Sequence, residues 1–218
     1  MKKVLALIAA MMMLVTALAV PAMANAQNEV YVSTVDELKA ALASDTKIVL
    51  APGRYVCVSE MVHEEWDGMA WDYEVPKPVD IDSLTNVTIE GNNQAEIVLD
   101  VGFEAVIRVM NSSNITLSGL ILGHDVPEYG CEGDGYVIST SNSSDITIVN
   151  CDLYGCGVSG INSWSDKNIT VNGSVIRDCM VNAASFYSLQ GPVTFNDCAF
   201  TANAYDESAA DWSAFFEV

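Results

Sequence analysis

The residues best suited to chemistry are concentrated in two short segments, each holding one of the chain's two histidines. The first segment, Ser59 to Pro78, combines aromatic side chains with carboxylates. Flat aromatic faces present apolar surface on which a sugar ring can stack, and carboxylates accept hydrogen bonds from hydroxyls. We therefore predict that this segment binds a ligand through His63, Glu64, Glu65, Trp66, Trp71 and Tyr73.

The second segment, His124 to Gly135, is acidic and carries the other histidine. A histidine beside carboxylates could serve general acid–base cleavage of a glycosidic bond. The hypothesis assigns catalysis to His124, Asp125 and Glu128, and ligand binding to Asp134. The alternative for both segments is that the aromatic side chains pack onto the scaffold and the acids form a solvated surface.

A short phrase recurs along the chain and predicts the scaffold that holds these segments. Asn86-Val87-Thr88-Ile89 returns with small changes at 114–117, 145–148, 168–171 and 192–195. Apolar and polar residues alternate within each phrase, which predicts a strand with one buried face. Each period holds about three short strands with turn residues at the corners. We expect a coil that wraps once per repeat, with parallel strands about 4.8 Å apart.

The two ends of the chain differ in character from the repeats. Residues 1–26 combine Lys2 and Lys3 with an apolar run and small residues near Ala26, which predicts a cleaved signal peptide and a secreted, extracellular or periplasmic protein. A transmembrane anchor is the alternative interpretation. Residues 33–42 predict a helix that covers the first rung. The acidic and aromatic segment 206–218 is expected to fold over the last rung.

These features resemble the right-handed parallel β-helix proteins of the pectin-lyase-like superfamily. The resemblance rests on the capping helix, the segment from Ile48 to Tyr55, and the repeated phrases. It implies an all-β domain over 27–205: a short right-handed parallel β-helix of about five to six rungs, with an N-terminal capping α-helix and two side-loop insertions. It does not imply one activity, because this fold hosts lyases, hydrolases and adhesins.

The motifs of the catalytic relatives are incomplete in this chain. The pectate-lyase kind uses calcium-binding carboxylates with a basic residue, and no such motif surrounds Arg177-Asp178. The polygalacturonase kind uses Gly-His-Gly and Arg-x-Lys motifs, of which Gly123-His124-Asp125 supplies a fragment only. A catalytic set therefore does not transfer from the resemblance.

The charge balance limits the classes of partner. The chain has 9 Lys and Arg against 29 Asp and Glu, a formal net charge of −20. So few cations argue against binding a nucleic-acid backbone. The net charge also repels a polyanionic glycan unless calcium intervenes.

Acid-rich loops could hold Ca²⁺, but no EF-hand is present, so we predict no cofactor and leave Ca²⁺ open. No membrane span follows the signal segment.

The repeat register also brings two cysteines together. Cys156 and Cys179 each fall eleven places after the start of their phrase, in adjacent rungs. Their Cα atoms should lie about 4.8 Å apart, which is within disulfide range. The alternative is a stack of buried thiols that act as small hydrophobic side chains.

Two hypotheses for the function follow. The first is a secreted β-helix module without catalysis, which binds a glycan or a cell-surface protein partner or serves as a surface scaffold. The second is a small carbohydrate-active enzyme, a polysaccharide lyase or glycoside hydrolase. We prefer the module because five or six rungs leave little length for a substrate groove, and because the basic constellation of the catalytic relatives is missing.

Overall fold

The computed structural model describes residues 27–125, 135–155 and 157–203, and the backbone of 216–217. The described part of the chain begins with β1 (Asn28–Val32) and α1 (Val35–Ala40). Thr34 caps the helix, because the Glu37 N–H donates to Thr34 Oγ1 and the Glu37 carboxylate accepts from the Thr34 N–H, each at 3.2 Å. Leu38 is fully buried in the core. The predicted capping helix is therefore confirmed.

The strands form three faces of one coil, and the chain passes through faces 1, 2 and 3 in that order in each rung. Face 1 contains β6 (Val79–Asp82), β8 (Ile107–Met110), β10 (Tyr136–Ser141), β13 (Ser159–Trp164), β16 (Asn182–Tyr187) and β19 (Phe216–Glu217). Face 2 contains β1, β2 (Thr46–Leu50), the first half of β7 (Thr85–Leu99), the first half of β9 (Ser113–His124), β11 (Ser144–Val149), β14 (Lys167–Asn172) and β17 (Val193–Asn196). Face 3 contains β3 (Gly53–Cys57), the second halves of β7 and β9, β12 (Asp152–Tyr154), β15 (Val175–Arg177) and β18 (Ala199–Thr201).

All pairs of strands within these faces are parallel, and equivalent residues of successive repeats lie in register. Ile89 pairs with Leu117, Leu117 with Ile148, and Ile148 with Val171. All four side chains are fully buried, so each rung adds one apolar side chain to this inward column. The parallel β-helix predicted from the repeated phrase is confirmed, with six strands stacked on face 3 in the described part of the chain.

The corners between faces 1 and 2 are built by a polar ladder. Asn86, Asn114, Asp145 and Asn168 adopt left-handed backbone, with φ of 54° to 59°. Asn114 Nδ2 donates to Asn86 Oδ1 at 3.0 Å, and Asn168 Nδ2 donates to Asp145 Oδ1 at 2.9 Å. Asn and Asp tolerate this conformation better than other non-glycine residues. The predicted turn residues therefore bind their neighbours in the adjacent rungs.

Every connection from face 3 back to face 1 lies along one edge of the coil, and both insertions leave from that edge. The first insertion is an antiparallel hairpin of β4 (Glu60–Trp66) and β5 (Met69–Val75). Its turn, Asp67-Gly68, has φ of 51° and 75°, the sign pattern of a two-residue I′ turn. Of the second insertion, only residues 124, 125 and 135 are described. No helix in the described ranges is both long enough and apolar enough to cross a membrane.

Candidate functional site

The hairpin sorts its side chains onto two faces, because successive residues of a strand point in opposite directions. We call one of them the aromatic face; it carries Glu60, Val62, Glu64, Trp66, Met69, Trp71, Tyr73 and Val75. The exposed fractions are 73% for Trp66, 41% for Trp71 and 38% for Tyr73. All three rings are therefore accessible to solvent on one face of the hairpin, and their role in binding a ligand stays a prediction.

A hydrogen bond organises the middle of the aromatic face. Tyr73 Oη donates to Glu64 Oε1 at 2.7 Å, and this bond raises the pKa of Tyr73. The Tyr73 hydroxyl thereby orients the Glu64 carboxylate, which lies across the strand pair from Trp71. An oriented acceptor beside flat apolar surface is the combination that fixes the position of a polar ligand.

The opposite face of the hairpin is acidic. His63 Nδ1 lies 2.6 Å from Asp72 Oδ1, and His63 Nε2 lies 3.5 Å from Glu65 Oε1. The structure therefore divides the predicted ligand set. Glu64 and the three aromatic residues share one face, whereas His63 and Glu65 lie on the other.

His124 occupies an inward position, in register with Leu99 of the preceding rung. Only 5% of its surface is exposed. Its Nδ1 lies 2.8 Å from the Gly155 carbonyl and its Nε2 lies 2.8 Å from the Glu104 carbonyl. Burial lowers the pKa of His124, and the two carbonyl acceptors oppose that shift. Both ring nitrogens thus face backbone carbonyls in the segments that connect face 3 to face 1.

The other residues of the predicted catalytic set are placed differently. The carboxylate of Asp125 binds Arg54 Nη2 at 2.7 Å. The structure therefore does not pair the Asp125 carboxylate with the His124 ring. Glu128 and Asp134 lie outside the described residues, and their roles stay predictions.

A charged network on face 3 was missed by the sequence analysis. Arg54 binds Glu96 at 3.0 Å, Tyr154 Oη donates to Glu96 at 2.6 Å, and the Arg177 guanidinium lies 4.8 Å from the centre of the Tyr154 ring. Burial and the bond to Glu96 raise the pKa of Tyr154. A Cβ at Gly123 would overlap that ring, so the glycine makes room for it. The repeat register was the available signal, because it pairs Arg54 with Glu96.

A second aromatic pair, of which one ring is exposed, lies on face 1 and was also missed. The rings of Trp164 and Tyr187, in adjacent rungs, are 5.4 Å apart and tilted by 30°. Trp164 is 54% exposed. The buried Oδ1 of Asn162, on the same strand, has no hydrogen-bond partner in the structure. This pair is a second surface on which a ring could stack.

No three His, Cys, Asp or Glu side chains in the described ranges converge as metal ligands. No disulfide joins the described cysteines, of which Cys57, Cys151 and Cys179 are buried and Cys198 is half-buried. Burial raises the pKa of Cys57 and of Cys151 to about 11. Cys156 lies outside the described residues, so its bridge to Cys179 stays a prediction, while buried thiols fit the alternative.

Comparison with known families identifies the class of this protein. The model of the right-handed β-helix region matches residues 79–214. The chain therefore belongs to the right-handed β-helix family, as the resemblance in the sequence implied. No curated protein matches the chain.

Solved structures support the same fold at low sequence identity. An alginate lyase from Paenibacillus sp. str. FPU-7 has a TM-score of 0.57 at 11% identity, over 86% of this chain and 71% of that one. The enzymatically active domain of a tailspike protein from bacteriophage CBA120 has a TM-score of 0.51 at 15% identity, over 79% of this chain and 22% of that one. A pectate lyase from Bacillus sp. N165, in complex with trigalacturonate, has a TM-score of 0.49 at 14% identity, over 82% and 66%. At these identities the likeness establishes the fold alone.

Proposed function

We propose that this chain is a secreted, non-catalytic β-helix module that binds a glycan on the aromatic face of its hairpin. The observation that carries the proposal is the alternation of the hairpin, which places Trp66, Trp71 and Tyr73 together on one exposed face. Secretion, to the periplasm or the exterior, is proposed from the apolar segment that precedes β1.

The exposure of this face is itself an argument for a ligand. An isolated two-stranded hairpin is marginally stable in water, and exposed aromatic clusters on soluble proteins commonly mark binding sites. The hairpin stands on a rigid coil, which fixes its root and lowers the ordering cost of binding. The solved structures of the same fold include an alginate lyase, which supports a glycan as the ligand class.

The environment of His124 supports the absence of catalysis. A general base must reach the proton that it removes, whereas both nitrogens of this buried ring contact backbone carbonyls. The alternative, a lyase or glycoside hydrolase, is favoured by the likeness to an alginate lyase. It would use the acidic edge that includes Asp125.

The test is a screen of neutral and pectic oligosaccharides, with and without Ca²⁺, for binding and for product release. We expect binding without release, and at least a tenfold weaker affinity for Trp71→Ala, because the ring provides the stacking surface. Trp164→Ala is the matched control, since it removes another exposed tryptophan, from face 1. Affinity lost with Trp164→Ala but kept with Trp71→Ala would move the site to face 1. Product release that disappears in Asp125→Ala would establish the enzyme instead.

A further inference from the structure

Cations are scarce in this chain, and they are unevenly distributed. Apart from Lys2 and Lys3, the sequence contains seven Lys and Arg residues. Three of the seven, Lys39, Lys77 and Arg108, line one open pocket of about 510 Å³. A pocket with three cations and one lining acid, Asp80, is an exception on a chain with 29 acidic residues.

The pocket lies at the root of the hairpin. Lys39 comes from the last turn of α1, Lys77 follows β5, and Arg108 belongs to face 1. Val75, which also lines the pocket, is the last residue of the aromatic face. The aromatic face therefore runs into the pocket, and a ligand lying along the hairpin would reach it.

The three cations differ in how far they are already occupied. Arg108 Nε and Nη2 bind Asp80 at 2.6 and 2.8 Å, and its Nη1 binds Glu104 at 3.2 Å, so the guanidinium is engaged. Lys77 Nζ binds the exposed Glu60 at 2.9 Å, and an exposed pair of this kind contributes little energy.

Lys39 is the cation with most capacity left. Its Nζ donates to the Lys77 carbonyl at 2.6 Å, and it forms no ion pair with a described carboxylate. An ammonium has three donors, so two remain for a ligand. The bond to the Lys77 backbone also holds Lys39 close to the segment that carries the second ammonium.

The rest of the wall is apolar, formed by Leu42, Val75, Pro76 and Pro78. Apolar walls suit the C–H face of a sugar ring, and two ammonium groups suit one carboxylate. A ligand charged along its whole length would instead meet the negative field of the protein.

We infer that the glycan of the aromatic face carries a single carboxylated sugar unit, whose carboxylate is bound in this pocket by Lys39 and Lys77. This inference rests on the proposed function and names the chemistry of its ligand. The neutral part of the glycan lies on the aromatic rings, and the acidic unit lies at the root of the hairpin.

The test compares the methyl glycosides of glucuronic and galacturonic acid with those of glucose and galactose, by NMR titration of the whole mature protein. We expect one acidic glycoside to bind at least tenfold more tightly than its neutral counterpart. The preference should vanish in the double variant Lys39→Gln/Lys77→Gln. It should persist in the matched control Lys167→Gln, which removes an exposed lysine on face 2. It should also fall severalfold in 0.5 M NaCl, because salt screens charges.

Equal binding of the acidic and neutral glycosides by the wild-type protein would overturn the inference, as would a preference that survives in the double lysine variant. This failure is distinct from failure of the proposed function. The proposed function is judged by whether Trp71→Ala weakens oligosaccharide binding, and that result can stand when the lysines do not discriminate.

Discussion

Asp166 is a carboxylate with no exposed surface beside an apolar core. It accepts hydrogen bonds from the Thr140 hydroxyl at 2.5 Å, the Ser163 hydroxyl at 2.6 Å and the Ser143 N–H at 2.7 Å. These donors come from two successive rungs, so one side chain joins them at the corner. A buried charge is tolerated only with such partners.

We therefore expect Asp166→Ala to lower the free energy of unfolding by about 3 kcal/mol, because three donors lose their acceptor. Asp166→Asn keeps the volume and one acceptor oxygen and should lose less. Denaturant titration of the two variants measures the difference. An equal loss in both would show that the volume and the single acceptor oxygen that Asn retains contribute nothing, and that this corner requires the complete carboxylate.

His124 makes stability depend on pH. A neutral imidazole has one N–H and can donate to only one of its two carbonyl neighbours. Burial holds the pKa of His124 below its ordinary value, which is about 6.5. The unfolded chain therefore binds the proton first as the pH falls, and the native state loses stability below about pH 6.5.

The expected result is that His124→Gln loses less free energy of unfolding than the wild type between pH 7.5 and pH 5, because the amide does not titrate. Denaturant titrations at several pH values measure this slope, and His63→Gln is the matched histidine control. If wild type and His124→Gln gave parallel curves, the buried ring would have no part in the pH dependence.

At the scale of elements, the corner ladder and the hairpin follow different rules. Each corner needs a residue that tolerates left-handed backbone and whose side chain hydrogen-bonds to the adjacent rung. Asn and Asp meet both needs, so they recur there. The hairpin makes its backbone bonds within itself, and its large side chains are exposed. The coil sets the position of the hairpin, while the hairpin is available for a ligand.

The corner requirement can be tested at Asn114, whose φ is 54°. Asn114→Ala should lower the free energy of unfolding by about 1 kcal/mol more than Asn114→Gly does. Both lose the bond to Asn86, but alanine in left-handed backbone also costs about 1–2 kcal/mol. Thermal or denaturant unfolding measures both variants. A larger loss for glycine would mean that the ladder bond and chain entropy outweigh the backbone conformation.

At the scale of the whole molecule, the stacked core controls access to the thiols. Cys57 and Cys151 are buried and their pKa is raised to about 11, so they are neither exposed nor ionised at pH 8. Only unfolding of the coil around them should make them reactive.

We predict that an alkylating reagent modifies Cys198 of the native protein at least tenfold faster than Cys57 or Cys151, because Cys198 is half-buried on the last rungs. Peptide mapping by mass spectrometry measures the rates. Equal rates would indicate that the coil opens as one unit faster than the reagent attacks. The same map of denatured, unreduced protein reports whether Cys156 and Cys179 are bridged.

Charge also acts on the whole molecule. The net charge of −20 argues against polyanionic partners, but it is a sum and carries no information on position. Lys39 and Lys77 are 38 residues apart in the chain, and the sequence analysis assigned neither of them a role. Their convergence depends on the insertion returning to the coil beside α1.

The sequence by itself determined the coil, its register and its corners. A parallel stack places equivalent residues in contact, so a repeated phrase encodes both the strand and its partner, as Ile89 and Leu117 show. The same regularity fixed the polar ladder. These features are local or periodic, and they can be read from spacing.

Only the tertiary structure decided which side chains are available for function. Trp66, Trp71 and Tyr73 are exposed because the insertion pairs with itself instead of lying on the coil. His124, of equal promise in the sequence, is buried because it lies in the inward column, in register with Leu99 of the preceding rung. The exposure of a side chain depends on what packs against it from distant parts of the chain, and no spacing rule within one repeat specifies that.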